Sequence, residues 1–255
     1  MKNGRKMKQW GCVMLALMSG LMLPGAVQAG SGLSDTPQAI GIGNYYVGIK
    51  GASGNEVIID RNLDAGAVGG YVYSDSGDVE SKDNRVAVKD STVGGNIYSG
   101  YAYSNQWDAN ANSNSVIVSA SMVGDDIRGG YAYSDQRDAN ANNNSVTVND
   151  STVKDGIYGG RAHSEYGDVE SKDNSVAVNN STIEDDIYGG RAYSWIKNAN
   201  ANSNSVIVSA SMVEDDIYGG RAYSWIKNAN ANSNSVIVSA SMVGDDIRGG
   251  YAYSG

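Results

Sequence analysis

The sequence predicts an all-β fold, a parallel β-solenoid, and three observations carry the prediction. A double-glycine step returns every thirty residues, at Gly69-Gly70, Ser99-Gly100, Gly129-Gly130, Gly159-Gly160, Gly189-Gly190, Gly219-Gly220 and Gly249-Gly250. Periods of 20–50 residues mark solenoids, propellers and arrays, in which each unit buries its apolar face only against its neighbours. Within each unit, β-branched residues alternate with variable ones, the period of a strand. Finally, Phe is absent, Gly reaches 33 and Tyr 17, so the chain suits a thin stacked core of Val, Ile and Ala better than a thick globular one. A propeller blade would need about four strands in 40 or more residues.

One unit, residues 115–144, reads SVIVSASMVGDDIRGGYAYSDQRDANANNN. Its first expected strand holds Val116, Ile117 and Val118, and the counterparts at 86–88, 146–148 and 176–178 keep both outer valines while the middle residue varies. Alternation places the constant pair inside and the variable residue outside. A second strand is expected over residues 123–127. A third is expected at Tyr131, Ala132 and Tyr133, with alanine inward and both rings outward. The double glycine between them reads as a sharp corner at positive φ. The eleven-residue polar segments that follow, such as SDSGDVESKDN (74–84) and SWIKNANANSN (194–204), read as loops and alternate in a 90-residue order. This gives about three short strands per 30-residue coil, with the solenoid over 55–255, a cap or linker over 30–54 and a leader over 1–29.

Two polar columns never change in the full units. Asn84, Asn114, Asn144, Asn174, Asn204 and Asn234 precede the first strand, and Ser91, Ser121, Ser151, Ser181, Ser211 and Ser241 mark the turn after it. Stacked coils bring such residues about 4.8 Å apart, within reach for hydrogen-bonded ladders. Both columns are expected to be structural.

The leader has the pattern of a secretory signal peptide. Lys2, Arg5, Lys6 and Lys8 form a basic start, residues 12–23 are apolar, and Val27-Gln28-Ala29 resembles a cleavage site. Residues 1–29 hold four of the 19 basic residues, none of the 28 acidic ones and the only cysteine, Cys12. Cleavage would leave a cysteine-free chain with 15 basic and 28 acidic residues, net −13. Such a chain is a poor nucleic-acid binder, has no thiol for a disulfide or thiolate metal site, and fits a secreted or cell-surface location. No transmembrane helix is expected after cleavage.

Chemistry is sparse. The single histidine, His163, sits where other units carry Tyr103, Tyr133, Tyr193 and Tyr223. The pairs Asp125-Asp126, Asp185-Asp186, Asp215-Asp216 and Asp245-Asp246 read as solvated turns, since the nonapeptide of calcium β-rolls is missing. No catalytic residues, metal or cofactor are expected. Residues 184–213 and 214–243 are identical, and interchangeable coils do not suit the unique constellation an enzyme needs. One exposed feature stands out. Arg and Tyr flank the glycine step and exchange places together: Arg128 with Tyr131, Tyr158 with Arg161, Tyr188 with Arg191, Tyr218 with Arg221, and Arg248 with Tyr251, while Tyr98 with Tyr101 breaks the pattern. This is expected if guanidinium stacks on ring. The stripe, with Trp107, Trp195 and Trp225 in the loops, is a candidate contact surface for carbohydrate or protein.

Units such as NNSVTVNDSTVKDGIYGGRAHS (143–164) resemble the Ile-Tyr-Gly-Gly repeats in passenger regions of bacterial autotransporters and related surface adhesins. The resemblance implies a right-handed β-helix displayed at the cell surface, serving in adhesion, with host or neighbouring-cell glycans or surface proteins as partners. Autotransporters end in an outer-membrane β-barrel, whereas this sequence stops at Tyr253-Ser254-Gly255, which suggests a truncated or split product. An uncapped last coil would leave strand edges open to end-to-end self-association. The rival expectations are a polysaccharide-processing β-helix enzyme and a pure spacer. Scarce Thr speaks against an ice- or mineral-templating solenoid.

Overall fold

The computed structural model describes residues 53–75 and 77–255 in full, and the backbone of 38–40 and 46–50. The expected signal peptide and most of the expected cap at 30–54 lie outside the described residues. Among the described residues, no helix is long and apolar enough to cross a membrane.

The repeat forms a parallel β-solenoid whose coils contribute strands to four sheets of nine, seven, six and six strands. In one coil the strands are Ser115–Ser119, Met122–Val123, Ile127–Ser134 and Ala139–Asn140. Each pairs in parallel with its equivalent thirty residues on, as in Val116↔Val146, Val123↔Val153, Ile127↔Ile157 and Ala139↔Val169. The first valine strand is one residue out of phase, with Val57 opposite Val86. At the N-terminal end, Gln38–Ile40 joins Tyr46–Lys50 antiparallel, and Tyr46–Lys50 then pairs in parallel with Gly66–Ser74.

Burial follows the valine alternation. Val116 and Val118 are fully buried and Ile117 between them is not. These valines meet Val123 and Ile127 and their equivalents in one continuous apolar column. Each such side chain contributes about 1.5–3 kcal/mol on burial. A second, thinner column is almost all alanine: Ala132, Ala139, Ala141 and their equivalents, with Val79 and Val169.

Between the two columns runs the asparagine ladder, and its accounting is complete. Asn144 Oδ1 accepts from both the backbone N–H and Nδ2 of Asn114, at 2.9 and 3.1 Å. Asn144 Nδ2 donates its two hydrogens to Asn174 Oδ1 at 3.1 Å and to the Ala111 carbonyl at 2.9 Å. A buried amide costs free energy unless all its donors and acceptors are paired, so the strict retention of Asn here is physically required. The serine column does a smaller version of the same work. Ser121 Oγ donates to the Ser119 carbonyl at 2.7 Å and accepts the Ser91 N–H at 3.1 Å.

Three expectations about the coil are corrected. The double glycine is not a corner at positive φ. A single strand, Ile127–Ser134, runs straight through it, and among the described glycines only Gly54 has positive φ. The reason for glycine is lack of room. A Cβ on Gly130 would lie 2.5 Å from Asn144 Nδ2 and 2.6 Å from the Ala111 carbonyl, and one on Gly129 would lie 2.4 Å from the Gly159 carbonyl. The strand is pressed onto the asparagine ladder at this step, and only glycine permits that approach. The left-handed turns sit elsewhere. One set precedes each ladder asparagine, as at Ser113 (φ 57°) and Asn143 (φ 57°). The other precedes each turn serine, as at Ala120 (φ 49°) and Asp150 (φ 50°).

The second correction concerns the strand expected over 123–127. The strand Met122–Val123 stops at the first of those residues, and the last, Ile127, opens the long strand. The third concerns the polar segments, which are not wholly loops. Each contributes a fourth strand, from Val79–Lys82 through Ala139–Asn140 to Ala229–Asn230. Alanine alternating with asparagine there is a strand pattern whose inward residue is small.

Candidate functional site

The glycine step positions the Arg/Tyr stripe. Both glycines face the interior, so the residues before and after them both face outward on one strand bent toward the core. Their side chains meet. The guanidinium carbon lies 5.4 Å from the ring centroid in Arg128/Tyr131, 5.2 Å in Arg161/Tyr158, 5.2 Å in Arg191/Tyr188, 5.1 Å in Arg221/Tyr218 and 5.3 Å in Arg248/Tyr251. The same cations reach rings of adjoining coils, as Arg191 does to Tyr158 at 5.9 Å and Arg221 to Tyr251 at 5.7 Å.

The two halves of the stripe differ in exposure, which the sequence pattern did not reveal. The side chain before the glycines is covered: Tyr158, Tyr188 and Tyr218 form a buried cluster, and Arg128 is 8% exposed. The side chain after them is half-buried and borders solvent, in a row that reads Tyr131, Arg161, Arg191, Arg221, Tyr251. Except at Tyr158, where Gly156 stands in its place, the covered position is tied down by the aspartate two residues earlier. Arg128 pairs with Asp126, and Tyr188 and Tyr218 donate their hydroxyls to Asp186 and Asp216. At the last step the same bond runs from Arg248 to Asp246. Burial, then the hydrogen bond to Asp216, pushes the Tyr218 hydroxyl up to about 12.

The three arginines of the outer row have no carboxylate that close among the described residues. Among the described residues, the ion pairs closer than 4.0 Å involve Arg85, Arg128 and Arg248 and three lysines, but not Arg161, Arg191 or Arg221. Their polar contacts are with phenols: Arg221 donates to Tyr188 Oη at 2.7 Å and Arg191 reaches Tyr158 Oη at 3.5 Å. Like charges about 5 Å apart repel by about 1–3 kcal/mol per pair, depending on how much water screens them. Burial, then neighbouring Arg128, lowers the Arg161 pKa. At Arg221 burial is outweighed by the Tyr188 phenol, with Tyr218 and Asp186, and the pKa is raised.

Beside this row runs a second outward column: Tyr73, Tyr103, Tyr133, His163, Tyr193, Tyr223 and Tyr253. Its rings stack along the solenoid, at 4.9 Å for Tyr103/Tyr133 and 5.2 Å for Tyr193/Tyr223. His163 breaks the stack, meeting Tyr133 and Tyr193 edge-on. Burial, then Arg161 and Arg191, holds His163 down to about 4. A groove of about 170 Å³ opens between the two columns, lined by Arg161, Ala162, His163, Arg191 and Tyr193. Beyond the tyrosines, the rings of Trp195 and Trp225 are exposed and 5.3 Å apart, and Trp225 Nε1 donates to Tyr193 Oη at 3.0 Å. Trp107 is exposed in an earlier coil.

The other singled-out residues fall as follows. The asparagine and serine columns line the interior and the turns, away from the groove. The Asp-Asp pairs are not simply solvated: Asp126 is buried against Arg128, and Asp125, Asp126 and Asp155 gather with oxygens within 4.8 Å. Of the three, Asp126 pairs with the Arg128 guanidinium. Burial, then the hydrogen bond with Asp155, raises Asp185 to about 6. A third polar column was missed. Ser134 Oγ donates to the Trp107 carbonyl at 2.8 Å and accepts the Arg137 N–H at 3.1 Å, fixing the turn after the long strand. Its signal was available: Ser74, Ser104, Ser134, Ser164, Ser194, Ser224 and Ser254 also recur every thirty residues.

No protein-family model matches this chain, and neither a curated protein nor a solved structure shows significant similarity to it.

Proposed function

We propose that the chain is a secreted or cell-surface repeat protein, a passenger-type β-solenoid that presents one face many times over and acts in adhesion without catalysis. The observation that carries this reading is the equivalence of its coils. Residues 184–213 and 214–243 are identical, and stacking sets each side chain over its own copy, Arg191↔Arg221 and Tyr193↔Tyr223. An active site concentrates unlike groups at one place; here like groups repeat along an axis. A multiplied face gains avidity from each added coil without any new contact. The basic-then-apolar leader and the cysteine-free remainder support export.

The test is binding by the purified full chain to arrayed glycans, matrix proteins and whole cells, with N-terminal sequencing of the exported product. Adhesion predicts saturable binding to at least one of these and a mature start at Gly30. Absence of binding to all three would leave a spacer in its place.

A further inference from the structure

We infer that the outer arginine row is a binding site for acidic oligosaccharides, chains whose carboxylate or sulfate groups seat on Arg161, Arg191 and Arg221 while their sugar rings lie toward Tyr193, Tyr223, Trp195 and Trp225. The inference rests on the adhesive reading above and names its ligand class.

Charge comes first. In a strongly acidic chain, three guanidinium groups from consecutive coils stand in one column with no carboxylate within 4.0 Å among the described residues. Every other arginine flanking a glycine step has its aspartate: Arg128 has Asp126 and Arg248 has Asp246. The row therefore has no carboxylate at ion-pair distance, and an anion held along it would form charge-assisted hydrogen bonds and, at Arg161, relieve the repulsion from its neighbours.

Geometry comes second. Arg161 and Arg191 form one wall of the groove that also holds His163 and Tyr193. The guanidiniums are held in place by phenol rings on their inner side, which removes much of the entropy lost when a mobile arginine binds. Alternate residues of the strand share one face, so Arg191 and Tyr193 lie side by side, with exposed Trp195 just beyond the strand end, and Arg221, Tyr223 and Trp225 repeat the set one coil on. A cation next to exposed indole is a surface for a ligand with an anionic group on a flat, partly apolar ring.

Bounds come third. Tyr131 and Tyr251 close the arginine row at its two ends. The position of Trp195 and Trp225 is held by Glu165 in the coil of Arg161 and by Asp135 in the coil before it, so the indoles flank Arg191 and Arg221 and an anion is disfavoured beyond Arg161. The site thus spans three coils, about 10 Å between its first and last arginine, the length of a few sugar units and too short to grip a long polyanion. The net negative charge of the rest of the chain opposes nucleic acid for the same reason.

The test is calorimetric titration of the full chain with an oligogalacturonate, a sulfated heparin-derived oligosaccharide, a neutral chitin oligosaccharide, poly-glutamate and inorganic sulfate. The variants replace Arg161, Arg191 and Arg221 by Tyr, singly and together. The coil holding Tyr98 and Tyr101 already carries tyrosine at both places, so the substitution suits the fold; an unchanged thermal midpoint verifies this, and Arg191→Lys serves as a milder variant. The expected result is binding of one or both acidic oligosaccharides that weakens with salt, falls at least tenfold in the triple variant, and falls severalfold in Trp195→Ala/Trp225→Ala. No binding to either acidic oligosaccharide, undiminished binding by the folded triple variant, or equal binding of poly-glutamate or sulfate alone would overturn it. Binding to neutral glycans or to cells that survives in the triple variant would overturn this site while leaving the adhesive reading intact.

Discussion

Asn114 and Asn144 are joined across coils by two hydrogen bonds to one oxygen: Asn114 Nδ2 donates to Asn144 Oδ1 at 3.1 Å while the Asn114 backbone N–H donates to the same oxygen at 2.9 Å. That pairing repeats along the interior wall between the valine and alanine columns, and it accounts for both the strict asparagine and the strict glycine opposite it.

Replacing Asn144 by Ala orphans three buried groups at once: the Asn114 N–H, one Asn114 Nδ2 hydrogen and the Ala111 carbonyl. Each unpaired buried polar group costs about 1–3 kcal/mol. Asn144→Ala is expected to lose about 3 kcal/mol or more in urea unfolding, with hydrogen exchange accelerated in the coils on either side. A loss below about 1 kcal/mol would mean the ladder is ornamental.

Gly160→Ala places a methyl 2.5 Å from the Ala141 carbonyl and 2.6 Å from the Asn174 amide, and neither has space to withdraw. It is expected to cost about 1–3 kcal/mol, the range for overpacking. Gly77→Ala, where nothing lies within 4 Å, is the matched control and should change the thermal midpoint little.

Ala210 adopts φ 49°, a left-handed conformation that Asn180 fills in the coil before. Alanine pays steric strain there that asparagine, with its local hydrogen bonds, tolerates. Ala210→Asn is expected to raise stability by about 0.5–1 kcal/mol, seen as a higher thermal midpoint, and Ala120→Asn should do the same in its own coil.

His163→Tyr restores the stack that the imidazole interrupts. Because burial, then Arg161 and Arg191, holds the folded imidazole down to about 4, the unfolded chain, with a histidine pKa near 6.5, takes up the proton first as pH falls. The native state therefore loses stability between about pH 6.5 and 4 through this group. Asp135, which faces the imidazole, opposes the shift weakly. Asp185, held up to about 6, acts in the reverse sense, favouring the folded state at low pH and ceasing to do so as pH rises to about 6, but it is common to both proteins. The gain in thermal midpoint from His163→Tyr should be larger at pH 5 than at pH 8. Equal gains would show that His163 titrates normally.

Much of this fold is legible in the repeat because each coil is tested against its copies. Val116 and Val118 announce the interior by not varying while Ile117, Thr147 and Ala177 do, and the asparagine column announces a buried amide. What periodicity does not carry is the reason for each invariant residue. Gly129-Gly130 reads as a turn because glycine marks turns on average, yet its cause is the asparagine side chain across the interior. Ala109 and Asn110 read as loop because a strand whose inner residue is alanine has almost no hydrophobic signal. At the candidate site, the Arg/Tyr exchange was visible as paired substitution, but which member is covered depends on the inward bend at the glycines. That Arg191 and Arg221 have no paired carboxylate depends in turn on Asp186 and Asp216 accepting the Tyr188 and Tyr218 hydroxyls.

Every thirty residues the chain returns to the same place one strand higher. The outward positions Ala87, Ala177, Ile207 and Ile237 lie in one column of the valine sheet. With Cys12 replaced by Ser, spin labels at 87/177, 87/207 and 87/237 should give distances near 14, 19 and 24 Å, a rise of about 4.8 Å for each coil added. Distances that do not grow by one strand spacing per thirty residues would contradict the in-register solenoid.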